Sequence, residues 1–145
     1  MKTSAGLAAP FMLGPSVWAA RGNRPAPSER ITIGCIGVGG QGTQNMQGFL
    51  SFDQAQVVAV CDVEKAHRER AKGIVDKHYG NQDCTSYNDF RDLLARTDID
   101  CVMVGTPDHW HAIPSIWAMK SGKDVYVEKP MSLTIAEGRA MADTA

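Results

Sequence analysis

Three things are scarce in this sequence, and each scarcity excludes a class of protein. An excess of charge is missing: fifteen Lys and Arg stand against sixteen Asp and Glu, a formal net charge of −1. Nucleic acid and anionic membrane surfaces both call for concentrated positive charge, so neither is expected as a partner. The nearest charge cluster, Glu64 to Lys72, alternates in sign and reads as a solvated helix face. Paired cysteines are missing too. Cys35, Cys61, Cys84 and Cys101 show no C-x-x-C spacing and no histidine at ligand spacing. Buried, reduced thiols are expected instead of a metal site or a disulfide frame. The third scarcity is an unbroken hydrophobic run. The apolar stretch Ala5 to Leu13 is interrupted by Gly6 and Pro10 and followed by Gly14 and Pro15, too short and too broken for stable membrane insertion.

Acid is absent from the opening of the chain, where the first carboxylate is Glu29 and residues 1–20 carry a single charge, Lys2. That apolar run, closed by Val17-Trp18-Ala19-Ala20, has the h-region and small-residue cleavage site of an export signal, with cleavage after Ala19. Its first nine residues look like the tail of a twin-arginine signal whose arginine pair lies upstream of Met1. A frayed apolar N-terminus is the plainer alternative. The expectation is periplasmic or other export if the signal works and a cytoplasmic location otherwise. Residues 21–30, with Pro25 and Pro27, read as a polar linker, and the folded domain should occupy residues 31–145.

What is present points to one α/β domain. With 145 residues, 43% apolar and 21% charged, the chain has the length and composition of a single globular fold. Ile31 to Val38 is a β-branched run of the kind found in buried parallel strands. Gly37-Val38-Gly39-Gly40-Gln41-Gly42 follows directly, then a helical stretch, Thr43 to Phe52, with Met46, Phe49 and Leu50 at core spacing. Such glycines have separate tasks: Gly37 for the tight turn, Gly39 for close approach to a pyrophosphate, Gly42 for packing helix on strand. The pyrophosphate would rest on the helix's unpaired amides and positive end. A second strand, Gln56 to Cys61, ends at Asp62, twenty residues past Gly42. A carboxylate there can accept both adenosine ribose hydroxyls and repel a 2′-phosphate, favouring NAD over NADP. Asp62 can equally serve as N-cap for a helix over Glu64 to Tyr79.

The alternation continues. Tyr87 to Leu94 reads as a short amphipathic helix and Asp100 to Gly105 as a strand buried on both faces. After Thr106-Pro107-Asp108-His109-Trp110-His111 a helix runs to about Ser121, stopped by Gly122. Trp110, Ile113 and Trp117, at i, i+3 and i+7, are expected as a core stripe. Asp124 to Val127 is a further strand, leading into Glu128-Lys129-Pro130, and Thr134 to Ala145 is helical. The fold class is α/β, a doubly wound parallel sheet of Rossmann type that binds NAD(P).

On these residues the chain resembles the glucose–fructose oxidoreductase and inositol dehydrogenase group, the Gfo/Idh/MocA family. The resemblance rests on the glycine loop Gly37 to Gly42, on Val60-Cys61-Asp62, on Thr106 to His111 and on Glu128-Lys129-Pro130. It implies NAD(P)-dependent hydride transfer involving a sugar, cyclitol or related polyol. It implies a catalytic Lys129, a cis Lys129–Pro130 bond, and Gly40, Gln41, Thr106, Pro107, Asp108, Glu128, Lys129 and Pro130 at the cofactor with Gly37, Gly39, Gly42 and Asp62. Asp108 departs from the family's usual Asn. A lysine beside the nicotinamide, partly desolvated, should have a lowered pKa and accept a hydroxyl proton. Two readings of His111 stand: lining the cleft in a catalytic role, or capping and packing at the helix start. Glu128 either orients Lys129 or simply ends its strand.

Family members carry a second, substrate-binding α/β domain, which is missing here, so this chain is expected to be the nucleotide-binding half of a longer protein and inactive alone. A homo-oligomer is expected of the full-length protein. The alternatives are an NAD-dependent glycosidase of related fold, which oxidises and re-reduces its sugar, and a non-catalytic nucleotide-binding fragment.

Overall fold

Ile31–Ile36, Ala55–Cys61 and Cys101–Val104 are built almost wholly from small and β-branched apolar residues, which suit strands covered on both faces. They form β1, β2 and β4 at the centre of a five-stranded, all-parallel sheet in the order β3-β2-β1-β4-β5. Its edges are Thr85–Tyr87 (β3) and Asp124–Val127 (β5). The computed structural model describes residues 25–145; the expected export signal and the first part of the linker lie outside the described residues. Arg30 ties the remaining linker to the domain, donating to the Pro25 carbonyl (2.9 Å) and to Gln56 (3.1 Å).

Helices Gly40–Leu50 (α1) and Lys65–Tyr79 (α2) cover one face, sealing Ile33, Cys35, Val57, Val60 and Met103 under Met46, Leu50, Ala71 and Val75. Phe90–Leu94 (α3) and Ala112–Lys120 (α4) cover the other, over Ile36, Ala59, Val102 and Val104. Ile135–Thr144 (α5) lies against α4. Full burial of each such aliphatic side chain contributes about 2 kcal/mol. The helix ends follow local chemistry. Asp89 caps α3 by accepting from the Arg91 amide, and Thr134 with Glu137 forms a capping box on α5. Gly122 stands at φ +73° just past α4, as its position in the sequence foretells.

One irregularity sets the site. Ile33 pairs with Val57 but Gly34 pairs with Ala59, so Val58 is an extra, bulged residue. Beyond it the facing pattern of β2 inverts: Val57 and Val60 share the α1–α2 side, Ala59 and Cys61 the other. A one-residue slip exchanges the two faces of a strand, and this one brings Asp62 to the side of the glycine loop.

The structure corrects several expectations. α1 begins at Gly40 rather than Thr43, so Gly40 and Gly42 belong to its first turn. The helix expected over Tyr87 to Leu94 shrinks to Phe90–Leu94, because Tyr87 pairs in the short exposed strand β3. The core stripe is overturned outright: Trp110, Ile113 and Trp117 are 45%, 45% and 51% exposed. Small residues, Ala112, Pro114, Ser115 and Ala118, face the sheet instead and let α4 lie close. Trp117 keeps only an edge-on contact with Phe90 (6.3 Å between centroids). None of the four cysteines is in a disulfide. Burial pushes the Cys61 and Cys84 thiols up to about 12 and raises those of Cys35 and Cys101, which keeps all four inert.

Candidate cofactor cleft

The strands all point to one edge, and backbone hydrogen bonds extend the sheet one step past each strand there. Gly37 N–H donates to Cys61 (2.8 Å), Gly105 N–H to Ile36 (2.8 Å), Glu128 N–H to Val104 (2.9 Å) and Asp62 N–H to Tyr87 (3.2 Å). The glycine loop, Asp62, the Thr106 segment and Glu128–Pro130 are thereby set side by side. Strand order reverses between β1 and β4, the place where open α/β sheets bind ligands. A cleft of about 520 Å³ opens over it, bordered by Gly37, Gly39, Gly40, Gln41, Asp62, Thr106, Pro107, Asp108, His111, Glu128 and Lys129. Gly42 lies buried beneath it, whereas Pro130, exposed after a cis peptide bond to Lys129, does not border it. A second cavity, about 480 Å³, adjoins it between Asp62, Phe90 and Trp110.

The glycines divide into two kinds. Gly37 has φ +77°, and a Cβ on it would lie 2.5 Å from the Thr106 amide nitrogen. A Cβ on Gly42 would lie 1.8 Å from the Gly37 carbonyl oxygen, and one on Gly105 2.8 Å from the Gly42 Cα. These three touch backbone to backbone; Gly105, which closes β4, has no motif spacing to announce it. Gly39 and Gly40 are different. A Cβ on Gly39 would meet His67 at an ordinary 3.6 Å and one on Gly40 would meet nothing. Packing does not require glycine at either position, so their bareness serves the cleft. No side chain caps α1 either, and its first-turn amides face outward with the positive end of the helix. A bare backbone at an uncapped helix start is what a pyrophosphate requires; the residues present fit a dinucleotide.

Asp62 completes that end. Its Oδ2 accepts from Val38 N–H (2.9 Å) and its Oδ1 from Glu64 N–H (2.9 Å), which fixes the carboxylate. Each oxygen keeps a lone pair for a ribose hydroxyl. The expected N-cap role falls to Glu64, whose side chain makes no capping bond, and α2 starts at Lys65. His67, unremarked in the sequence, stands 3.5 Å from Asp62 and 3.3 Å from Glu64.

At the opposite end a polar chain reaches Lys129. Gln41 donates to Asn45 (3.0 Å), Asn45 to Glu128 Oε2 (2.5 Å), and Lys129 N–H donates to Glu128 Oε1 (2.8 Å). The Asn45 bond, with the Lys129 amide, holds the Glu128 carboxyl below its ordinary value. Glu128 is thus engaged beyond ending a strand. Lys129 itself is exposed, so the desolvation expected of it is not supplied by the described residues. His111 is 1% exposed, with Nδ1 2.6 Å from the Pro130 carbonyl and Nε2 2.7 Å from that of Thr106. It makes no capping bond, and it braces the β4 loop against the Pro130 loop. Asp108 and His109 lie exposed on a single 3₁₀ turn, Asp108–Trp110.

Fold and cleft together define a dinucleotide-binding domain of the Rossmann type. Residues 31–145 match the family described as "Oxidoreductase family, NAD-binding Rossmann fold", and the chain belongs to that Gfo/Idh/MocA family. A "Glycosyl hydrolase family 109 protein" of Shewanella baltica (strain OS155) is 39% identical over 118 residues, 79% of this chain and 26% of that protein. Myo-inositol dehydrogenase from Lactobacillus casei, solved with NAD(H) and myo-inositol, superposes with a TM-score of 0.70 at 26% identity, covering 79% of this chain and 33% of that one. The WlbA dehydrogenase from Chromobacterium violaceum, solved with NADH and UDP-GlcNAcA, gives 0.71 at 29% identity, covering 84% and 34%. The chain spans about a quarter of the length of the curated relatives it matches and about a third of these structures.

Proposed function

We propose that the protein carrying this domain moves hydride between NAD and a carbon of a sugar, cyclitol or related polyol, with Lys129 exchanging the hydroxyl proton. One juxtaposition carries the reading: Lys129, anchored through Glu128, stands on the same cleft as the bare Gly39–Gly40 backbone and the fixed Asp62 carboxylate. When bound, the cofactor supplies the hydride-accepting centre. The chain's own groups do the rest. Amides of the first turn of α1 hold the pyrophosphate, and Asp62 accepts the ribose hydroxyls while its charge opposes a 2′-phosphate. Lys129 Nζ takes the hydroxyl proton as the substrate C–O bond becomes a carbonyl. His111 acts by position, fixing Thr106 relative to Pro130.

The substrate class is supported by the myo-inositol and UDP-GlcNAcA bound in the similar structures. A second reading draws on the glycosyl hydrolase family 109 names of the relatives: the same oxidation, followed by glycoside cleavage and return of the hydride. Export, supported by the acid-free apolar residues 1–20, and a homo-oligomeric full-length state complete the proposal.

Incubating the full-length protein with NAD and candidate sugars and glycosides tests it. Net NADH formation establishes the first reading, and glycoside release without NADH accumulation the second. Neither, with NAD still bound, overturns both. Lys129→Ala is expected to cut turnover by at least about 100-fold with NADH affinity little changed; lost affinity with turnover preserved rejects the role.

A further inference from the structure

The adenosine end of the cleft holds two titratable side chains that the proposed chemistry does not use, Glu64 and His67. His67, half-buried on α2, has Nδ1 3.5 Å from Asp62 Oδ2 and Nε2 3.3 Å from Glu64 Oε2. Its ring lies 3.6 Å from the place where a side chain on Gly39 would start, so it borders the bare stretch of the glycine loop. Every other charged side chain around it is committed elsewhere. Arg68 donates to the Asp62 and Val63 carbonyls and to Asn88, Arg70 to the Val38 carbonyl (3.3 Å), and Lys65 pairs with Glu69 at 3.5 Å. The β1–α1 loop contributes only backbone and the positive end of α1.

We infer that His67 sets the choice between NAD and NADP, by deciding how many uncompensated carboxylates meet the 2′ position of the adenosine ribose. The inference rests on the dinucleotide reading of the cleft and concerns selectivity within it. With the imidazole neutral, the cleft wall carries two uncompensated carboxylates, Asp62 and Glu64, and a 2′-phosphate bound there is repelled. With the imidazole protonated, one positive charge sits between the two carboxylates and cancels one of them. Histidine is the side chain that makes this change across the physiological pH range. The NAD ribose, carrying two hydroxyls and no charge, is affected far less. Asp62 alone therefore describes a fixed preference, whereas Asp62, Glu64 and His67 together describe one that relaxes in acid.

The test is fluorescence titration of NADH and NADPH into the full-length protein at pH 8 and pH 6. The NADPH-to-NADH affinity ratio is expected to rise about tenfold on acidification. Part of any rise belongs to the ligand, whose own phosphate titrates near pH 6, so His67→Gln supplies the baseline. That variant should show a clearly smaller rise, and His67→Lys should hold the ratio high at both pH values. NADH binding by each variant certifies its fold. Equal rises in parent and His67→Gln, or a His67→Lys ratio no higher than the parent's at pH 8, overturn the inference and leave the cofactor seat intact. Failure of the parent to bind NADH at either pH overturns the seat itself, and the inference with it.

Discussion

The two ends of this sheet are built on opposite principles. At the carboxyl end, Gly37, Gly42 and Gly105 meet backbone to backbone, and the amides above them carry no cap. At the amino end, side chains satisfy the backbone. Lys123, 7% exposed, donates to the Arg96 and Ile99 carbonyls (2.6 and 3.0 Å), and Asp100 accepts from both the amide and the hydroxyl of Thr32 (2.8 and 2.7 Å). Polar groups are satisfied where the sheet only has to hold and left open where it has to bind. The cavity of about 560 Å³ beside Lys123 and Asp124 is accordingly the less promising opening, even though it is no smaller than the cleft. Arg96, Asp100 and Lys123 on its wall are already paired with Asp98, Thr32 and two backbone carbonyls.

The sharpest way to break that contrast lies within the glycine loop. Gly42→Ala would drive a methyl into the Gly37 carbonyl, costing about 3 kcal/mol or more and abolishing NADH binding. Gly39→Ala meets only an ordinary contact and should melt like the parent while losing at least about tenfold in NADH affinity. Thermal melts and fluorescence titrations of both variants check this; equal melting losses would mean that the two glycines are not of different kinds. At the other end, Lys123→Met leaves two carbonyls without their buried donor. It should cost about 2 kcal/mol in urea unfolding and leave NADH affinity untouched. The smallest effect is expected from pH. The Thr32 amide and hydroxyl hold the Asp100 carboxyl below its ordinary 3.8. A depressed carboxyl binds fewer protons folded than unfolded. Its contribution is therefore present above pH 3.8 and fades as pH falls through the folded value. Asp100→Asn should flatten that part of the acid dependence, read from melting temperatures between pH 7 and pH 3.

Much of this was legible before the structure, for reasons that differ between elements. The β-branched runs and the Gly37 to Asp62 spacing are local signals, and β1, β2, β4 and the glycine loop follow from them. Gly105 was not legible, because its partner Gly42 is 63 positions away and only the sheet order brings them into contact. The Val58 bulge left no trace in the apolar run Val57 to Cys61, yet it turns Asp62 to its working side. The aromatic spacing of α4 misled: period tells which residues share a face, and here the small residues, not Trp110, Ile113 and Trp117, faced inward. His67 and Asn45 carry no motif at all, and their roles exist only where β2 and β5 end and α1 and α2 begin.

The position of β1 in the strand order bears on synthesis by the ribosome. Of the described strands, the first to emerge lies in the middle, with β2 on one flank and β4, some seventy residues later, on the other. The nascent domain grows outward from its own centre, and each new strand finds a standing edge to join. Until Val104 has been made, one edge of β1 stays open, and that interval is when a stalled or truncated chain is most exposed to pairing with the wrong neighbour.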